Sequence, residues 1–247
     1  MLWQHEVSVE WLTARQQYLT ATDIVKLLPQ AKKFQGKAGL PPAFVGTWFE
    51  KHTKQVPNPV SYDAAARGHI MEPYALLDYN AQGNDDLHHW DDCVIHQGHL
   101  AFSPDAMDVP QIFENGELPV DIRWDHPKLK EVTAIAEIKS YQPFHHGQCV
   151  VLPKDHQEEL MQIAVPFRVL PNLAAAYLIH YCPGAPVSMR VDVYDRDDLQ
   201  RLGYFDSIDL VLQKWVEVVR ELKKLKSDYR ATYTEQEINE MAMKGFY

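Results

Sequence analysis

Asp105, Glu137 and Lys139 are the residues of this chain best placed to do chemistry together. Residues 132–140 alternate as a strand does, with Ala134, Ala136 and Ile138 on one face and Ile135, Glu137 and Lys139 on the other. An acid and a lysine two apart on a strand point the same way. Asp105 closes the run Ser103-Pro104-Asp105, just past a second candidate strand. Two carboxylates and an ammonium facing one pocket would suit Mg²⁺, which binds through one or two carboxylates plus a substrate phosphate. Such an ion lowers the pKa of water and stabilises charge on phosphorus, while the lysine would orient that water or help deprotonate it. Taken alone, the three residues fit an ordinary surface Glu–Lys pair with an unrelated Asp better than a catalytic set.

Further residues fall around them in an ordered series. Pro104-Asp105 with Glu137-x-Lys139 resembles the PD-(D/E)xK nuclease superfamily. Trp11-x3-Arg15 followed by Thr20-Ala21-Thr22, then Gly68-x3-Glu72, Ser103-Pro104-Asp105 and Glu137-Ile138-Lys139-Ser140, resemble in order the motifs of its lambda-exonuclease, or YqaJ-type, branch over about residues 8 to 183. The resemblance implies an α/β fold with a restriction-endonuclease-like core, a central mixed β-sheet flanked by helices. It implies catalytic roles for Asp105, Glu137, Lys139, Glu72 and a glutamine, and a metal set of Asp105, Glu137, Ile138 and Glu72. Arg15, Thr22 and Ser103 would hold a DNA 5′-phosphate, an arrangement of guanidinium fork and hydroxyls that suits phosphate. Thr22 stands where the family commonly has Ser and keeps the hydroxyl. The implied activity is exonucleolytic digestion of linear double-stranded DNA from 5′ to 3′, by two-metal phosphodiester hydrolysis in phage-type recombination. Mg²⁺ is the implied cofactor, with Mn²⁺ able to substitute. The implied partners are duplex DNA ends, further copies of the chain in a trimer, and a single-strand annealing protein.

The glutamine has two candidates. Gln162 lies in the apolar run Leu160-Met161-Gln162-Ile163, where a polar side chain needs a reason, whereas Gln157 sits among His156, Glu158 and Glu159. Gln162 is the choice; five residues apart, the two cannot both face the site. The spacing from Asp105 to Glu137 is long for the family because of an insert at residues 110–130.

Around this site the elements read as helices, strands, a helix, strands and a helix, a mixed α/β order. Residues 10–28 read as two short helices, with Thr20 or Thr22 capping the second and Ile24, Val25, Leu27 and Leu28 inward. Residues 44–54 and 63–80 read as helices, the latter with Ile70, Tyr74, Leu77 and Met71 inward and Gly68 allowing close packing. Strands are expected at 93–95 and 100–102 about a turn at Gly98, with His99 on the strand side, then at 132–140, 175–181 and 189–194. The insert reads as irregular, a helix covers 155–169, and residues 207–229 form an amphipathic helix. Its buried stripe is Ile208, Leu212, Trp215, Val219, Leu222 and Leu225, and its polar face carries Lys214, Arg220, Lys223, Lys224 and Lys226. One nuclease domain is expected over 1–247: N-terminal helices at about 8–80, a catalytic core at about 90–195, and the C-terminal helix.

The 247 residues carry a net charge of −10, against the expectation for a nucleic-acid binder, though carboxylates for metal and a local basic groove accommodate it. No apolar run reaches the ~20 residues of a membrane span, and the N-terminus lacks a signal-peptide pattern. A cytoplasmic setting, in a bacterial host or phage-infected cell, is expected. Three cysteines make neither a disulfide framework nor the four ligands of an iron–sulfur cluster. The histidine pairs at 88–89, 96/99 and 145–146 lack a zinc pattern. Trp3, Trp48, Trp90 and Trp124 suit core packing more than base stacking. Two other functions compete: a structure- or sequence-specific endonuclease, and a non-catalytic DNA-binding protein that kept the fold.

Overall fold

The computed structural model describes residues 8–52, 62–83, 86–90, 92–112, 119–151 and 157–232. Four helices come first: α1 (Val9–Gln16), α2 (Ala21–Lys33), α3 (Pro42–His52) and α4 (Tyr62–Ala81). The strands β1 (His88–His89), β2 (Val94–Gln97), β3 (Leu100–Phe102), β4 (Ala106–Met107), β5 (Asp121–Arg123) and β6 (Ala134–Ser140) follow. Then come α5 (Pro143–Val151), α6 (Gln157–Val169), β7 (Ala175–Tyr181), β8 (Met189–Tyr194), α7 (Arg196–Arg201) and α8 (Tyr204–Thr232).

A mixed five-stranded sheet runs β1-β4-β6-β7-β8, and a smaller one runs β3-β2-β5. β6 and β7 are parallel, which requires a crossover, and α5 and α6 supply it. β6 separates the apolar residues as its alternation predicts. Ala134, Ala136 and Ile138 join a core beneath α4, while Ile135 joins the larger core built with α2, α6 and α8. Glu137 and Lys139 share the parity of Ile135 and so look toward α6.

Several expectations need correction. The insert is not irregular throughout: β5 pairs in parallel with β2, and residues 127–130 form a 3-10 turn. Ile122 is buried between exposed Asp121 and Arg123, so one apolar side chain and a shared backbone ladder dock the segment. Asn115 and Gly116 lie outside the described residues, as does Trp3. His99 sits in the turn with Gly98, whose φ of 60° is the left-handed conformation glycine accepts.

On α4 the inward face is different. Ile70, Tyr74 and Leu77 are 41%, 58% and 67% exposed, and Ala75, Leu76, Tyr79 and Glu72 are buried instead. Small Ala75 lets the helix lie close on the sheet. The Tyr181 hydroxyl donating to Asp78 at 2.6 Å, and Asn80 bonded to the Leu87 backbone, fix its rotation. A Cβ at Gly68 would meet only the Glu72 carboxylate at 3.7 Å, an ordinary contact, so close helix packing is not what this glycine serves.

On α8, Ile208, Trp215, Val219 and Leu222 are buried and Leu212 partly so, but Leu225 is exposed. Lys214 belongs to the buried side, its ammonium held 2.5 Å from Glu217 while its stem covers apolar surface. Two short helices went unexpected. α5 starts at a proline, and α7 starts at Asp195-x-x-Asp198, each acid accepting from the other's backbone N–H. Trp48 and Trp90 are buried, and Trp124 packs against the core.

Candidate active site

One cleft gathers residues from six parts of the chain. Arg15 comes from α1, Thr22 from the first turn of α2, Glu72 from α4, Ser103 and Asp105 from the segment before β4, Glu137 from β6 and Gln162 from α6. Local structure explains each placement. The link between α1 and α2 runs beside β3, with Leu19 N–H donating to His99 O at 2.7 Å and Ala101 N–H to Leu19 O at 2.9 Å. That pairing brings Arg15 and Thr22 to Ser103. Thr20 caps α2, its N–H and hydroxyl both donating to Asp23, which leaves the Thr22 hydroxyl exposed at the cleft. β4 pairs antiparallel with β6, Ala106 opposite Ala136, so Asp105 continues the register opposite Glu137.

At one end of the cleft, the α1 spacing Trp11-x3-Arg15 stacks the guanidinium over the indole, 4.8 Å from the ring centroid. The same indole N–H donates to Ser103 Oγ at 3.1 Å and lies 3.3 Å from Cys93 O. Burial lowers the Arg15 pKa, with Asp23, Glu137 and Asp105 opposing. Trp11 is therefore a site residue absent from the sequence-derived set, although its i, i+4 spacing to Arg15 was a usable signal.

The other end is acidic. Asp105 Oδ2 accepts from the Ile138 N–H at 2.7 Å. Burial and the charges of Glu137 and Glu72 hold the Asp105 carboxyl well above the usual carboxylate range, against the pull of Lys139 and the Ile138 N–H. Lys139 Nζ donates to Glu137 Oε1 at 2.5 Å. Burial lowers the ammonium's pKa, but Glu137 and Asp105 outweigh burial and leave it raised. Burial would raise Glu72 too, yet His69 and His89, 3.5 and 3.6 Å from its Oε2, hold its pKa down to about 2. His69 was legible as the i−3 neighbour of Glu72; His89 carried no local signal and arrives through β1. Asp92 also borders the cleft, in the left-handed conformation at φ 43°.

Gln162 borders both this cleft and a second one lined by Lys139, Gln157, Glu158 and Glu159; exposed Gln157 borders only the second. Lys223 and Lys224 are exposed on α8, and the Lys226 side chain lies outside the described ones.

Helices on a mixed sheet, with three carboxylates and an N-terminal arginine meeting at one cleft and Lys139 bordering the next, define a mixed α/β class with an acid-lined cleft. The YqaJ-like viral recombinase domain family matches residues 10–158, more than half of the chain, and the chain belongs to that family. The resemblance drawn from the ordered motifs is thereby borne out. Among solved structures, the fold is similar to an alkaline exonuclease, LHK-Exo, from Laribacter hongkongensis. That structure, and the crystal structure of LHK-Exo in complex with dAMP, each superpose with a TM-score of 0.60 at 16% identity, covering 90% of this chain and 100% of the other. No curated protein sequence matches the chain.

Proposed function

We propose that this protein is a Mg²⁺-dependent exonuclease that digests linear double-stranded DNA from a 5′ end and releases mononucleotides, in phage-type recombination. One observation carries the proposal: a single cleft brings Arg15, Thr22 and Ser103, a guanidinium and two hydroxyls suited to phosphate, beside three carboxylates, Glu72, Asp105 and Glu137. A terminal phosphate in the first set would put the next phosphodiester near the second. LHK-Exo, a fold neighbour named as an exonuclease and crystallised with dAMP, agrees with a mononucleotide product.

The donor set fits a hard divalent cation. Burial and then its carboxylate neighbours push Asp105 up, the electrostatic situation that a cation relieves. Asp105, Glu137, Glu72 and Ile138 would hold it, with Mn²⁺ able to replace Mg²⁺. Among the described residues, no three His, Cys, Asp or Glu stand gathered as a finished ligand set. Glu137 is engaged by Lys139 and Glu72 by the two histidines, so both would have to turn inward. When bound, the metal pair supplies Lewis acidity, neutralising charge on phosphorus and lowering the pKa of water.

The chain's residues do the rest. Arg15, Thr22 and Ser103 fix the 5′-phosphate and so select which bond is cut. Lys139 and Gln162 orient the attacking water, and the raised Lys139 pKa suits charge neutralisation rather than proton acceptance. Water adds to phosphorus and the P–O3′ bond of the terminal nucleotide breaks. The shortened strand again carries a 5′-phosphate, ready for the same cradle.

The exposed α4 stripe of Ile70, Tyr74 and Leu77 supports the homo-oligomer, which light scattering on the full chain would measure. Among the described residues no helix is long and apolar enough to cross a membrane.

The test is digestion of linear duplexes labelled at either end, with and without Mg²⁺. Loss of the 5′ label as mononucleotide, only with Mg²⁺, is expected. Cutting of closed circular DNA would instead favour an endonuclease, and absence of cutting with retained DNA binding would favour a binding protein.

A further inference from the structure

Glu137 faces two claims. Its Oε1 accepts from Lys139 Nζ at 2.5 Å, yet the reading above, on which this inference rests, needs the same carboxylate for a divalent cation. If Glu137 turns away, the ammonium loses its hydrogen-bonded partner, which is costly for a group this enclosed.

The second cleft offers a replacement. Lys139 borders it together with Glu158 and Glu159 of α6. Glu158 is exposed, but Glu159 is half-buried and its Oε1 accepts from the Tyr141 hydroxyl. Tyr141 is itself held in place. It follows β6 directly, its N–H donates to Tyr181 O at 3.2 Å, and its ring stacks on His180 with centroids 5.8 Å apart. His180 is the register partner of Lys139 on β7 and is buried, so the brace belongs to the sheet. The Glu159 charge also acts on Lys139 in the same direction as that of Glu137.

We propose that Glu159, braced by Tyr141, is the counter-ion that receives Lys139 when Glu137 turns to a divalent cation. Glu159 and Tyr141 are positioning residues: they act through Lys139, and the second cleft is the space in which the ammonium changes partner.

Calorimetric titration of the full chain with Mg²⁺ alone tests this without relying on catalysis. Tyr141→Phe keeps charge and ring, and should weaken Mg²⁺ binding several-fold, up to on the order of tenfold as for other residues supporting metal ligands. Glu159→Gln should weaken it at least as much, and the double variant no more than Glu159→Gln alone. In a Lys139→Ala background, where nothing competes for Glu137, Tyr141→Phe should have no effect. Wild-type affinity in both single variants, an undiminished Tyr141→Phe effect without Lys139, or a wild type that does not bind Mg²⁺ would each overturn the proposal. A wild type that binds Mg²⁺ but leaves linear duplex intact would sink the nuclease reading instead, and the exchange of partners would still be judged on binding alone.

Discussion

The two ends of the cleft are built on opposite principles. At the proposed phosphate end, Arg15 lies on Trp11, and the Trp11 N–H reaches Ser103. At the acidic end, Asp105 is tied to the Ile138 N–H yet pushed well above its usual range by burial and then by Glu137 and Glu72. The first end is ordered in advance; the second holds repulsion that a proton or a cation relieves. Pre-ordering lowers the entropic cost of binding, while stored like-charge repulsion makes the site's affinity depend on cation charge. The exonuclease proposed above, which would grip the end of a strand and admit a divalent ion, has use for both.

The largest effect that could break this contrast is on turnover. Asp105→Ala and Lys139→Ala should each lower Mg²⁺-dependent digestion of linear duplex by on the order of 10³-fold, measured as mononucleotide release. Full activity in either would remove the acidic end from the chemistry. Next in size, Arg15→Ala should reduce the preference for 5′-phosphorylated over 5′-hydroxyl ends by about 10- to 100-fold, the worth of a charged hydrogen-bonding pair. Competition between the two end types reads that ratio directly. Smaller again, Trp11→Phe keeps a ring under Arg15 but removes the donor to Ser103. It should lower the same ratio by about 3- to 10-fold.

The smallest effect is on stability, and its sign separates the two ends. A carboxyl whose folded pKa is raised favours folding when protonated, so it penalises folding above that pKa and not below its unfolded value. Without metal, Asp105→Asn should therefore melt about 2–4 °C higher than wild type at pH 7, the gain vanishing as pH falls below about 3.8. Glu72 has the opposite sign. Held down to about 2, it contributes stability above its unfolded pKa near 4.5 and loses it as pH falls toward 2. Glu72→Gln should thus melt lower at pH 7 and converge on wild type in acid. If Asp105→Asn melts lower than wild type at pH 7, the acidic end is not strained.

Much of the site was legible because its chemistry is local. Glu137 and Lys139 follow from strand alternation, and Asp105 and Ser103 from a three-residue run beside a strand. Trp11-x3-Arg15 could have been read as a pair from helical spacing. What stayed hidden depends on groups remote in sequence. His89 reaches Glu72 only because β1 pairs with β4, and β5 was missed because a three-residue strand with one inward side chain has too little pattern to stand out. The wrong face of α4 has a plainer cause. Two stripes there carry apolar residues of similar size, and Ile70, Tyr74 and Leu77 are exposed while Met71, Leu76 and Tyr79 pack.

The sequence by itself determined the strands, read at 132–140 where the structure has 134–140, at 175–181 and at 189–194, the partition of β6 into an apolar and a chemical face, and the order of motifs that marks the family. These follow from periodicity and short spacings, which backbone geometry enforces residue by residue. Only the tertiary structure decided which stripe of α4 lies on the sheet, that Lys214 turns inward, and that Gln162 rather than Gln157 borders both clefts. It also decided that a glutamate carried by one helix and an arginine carried by another meet at one pocket. Those outcomes depend on which surfaces of distant segments fit together, and a residue's own neighbours in the chain carry no record of that.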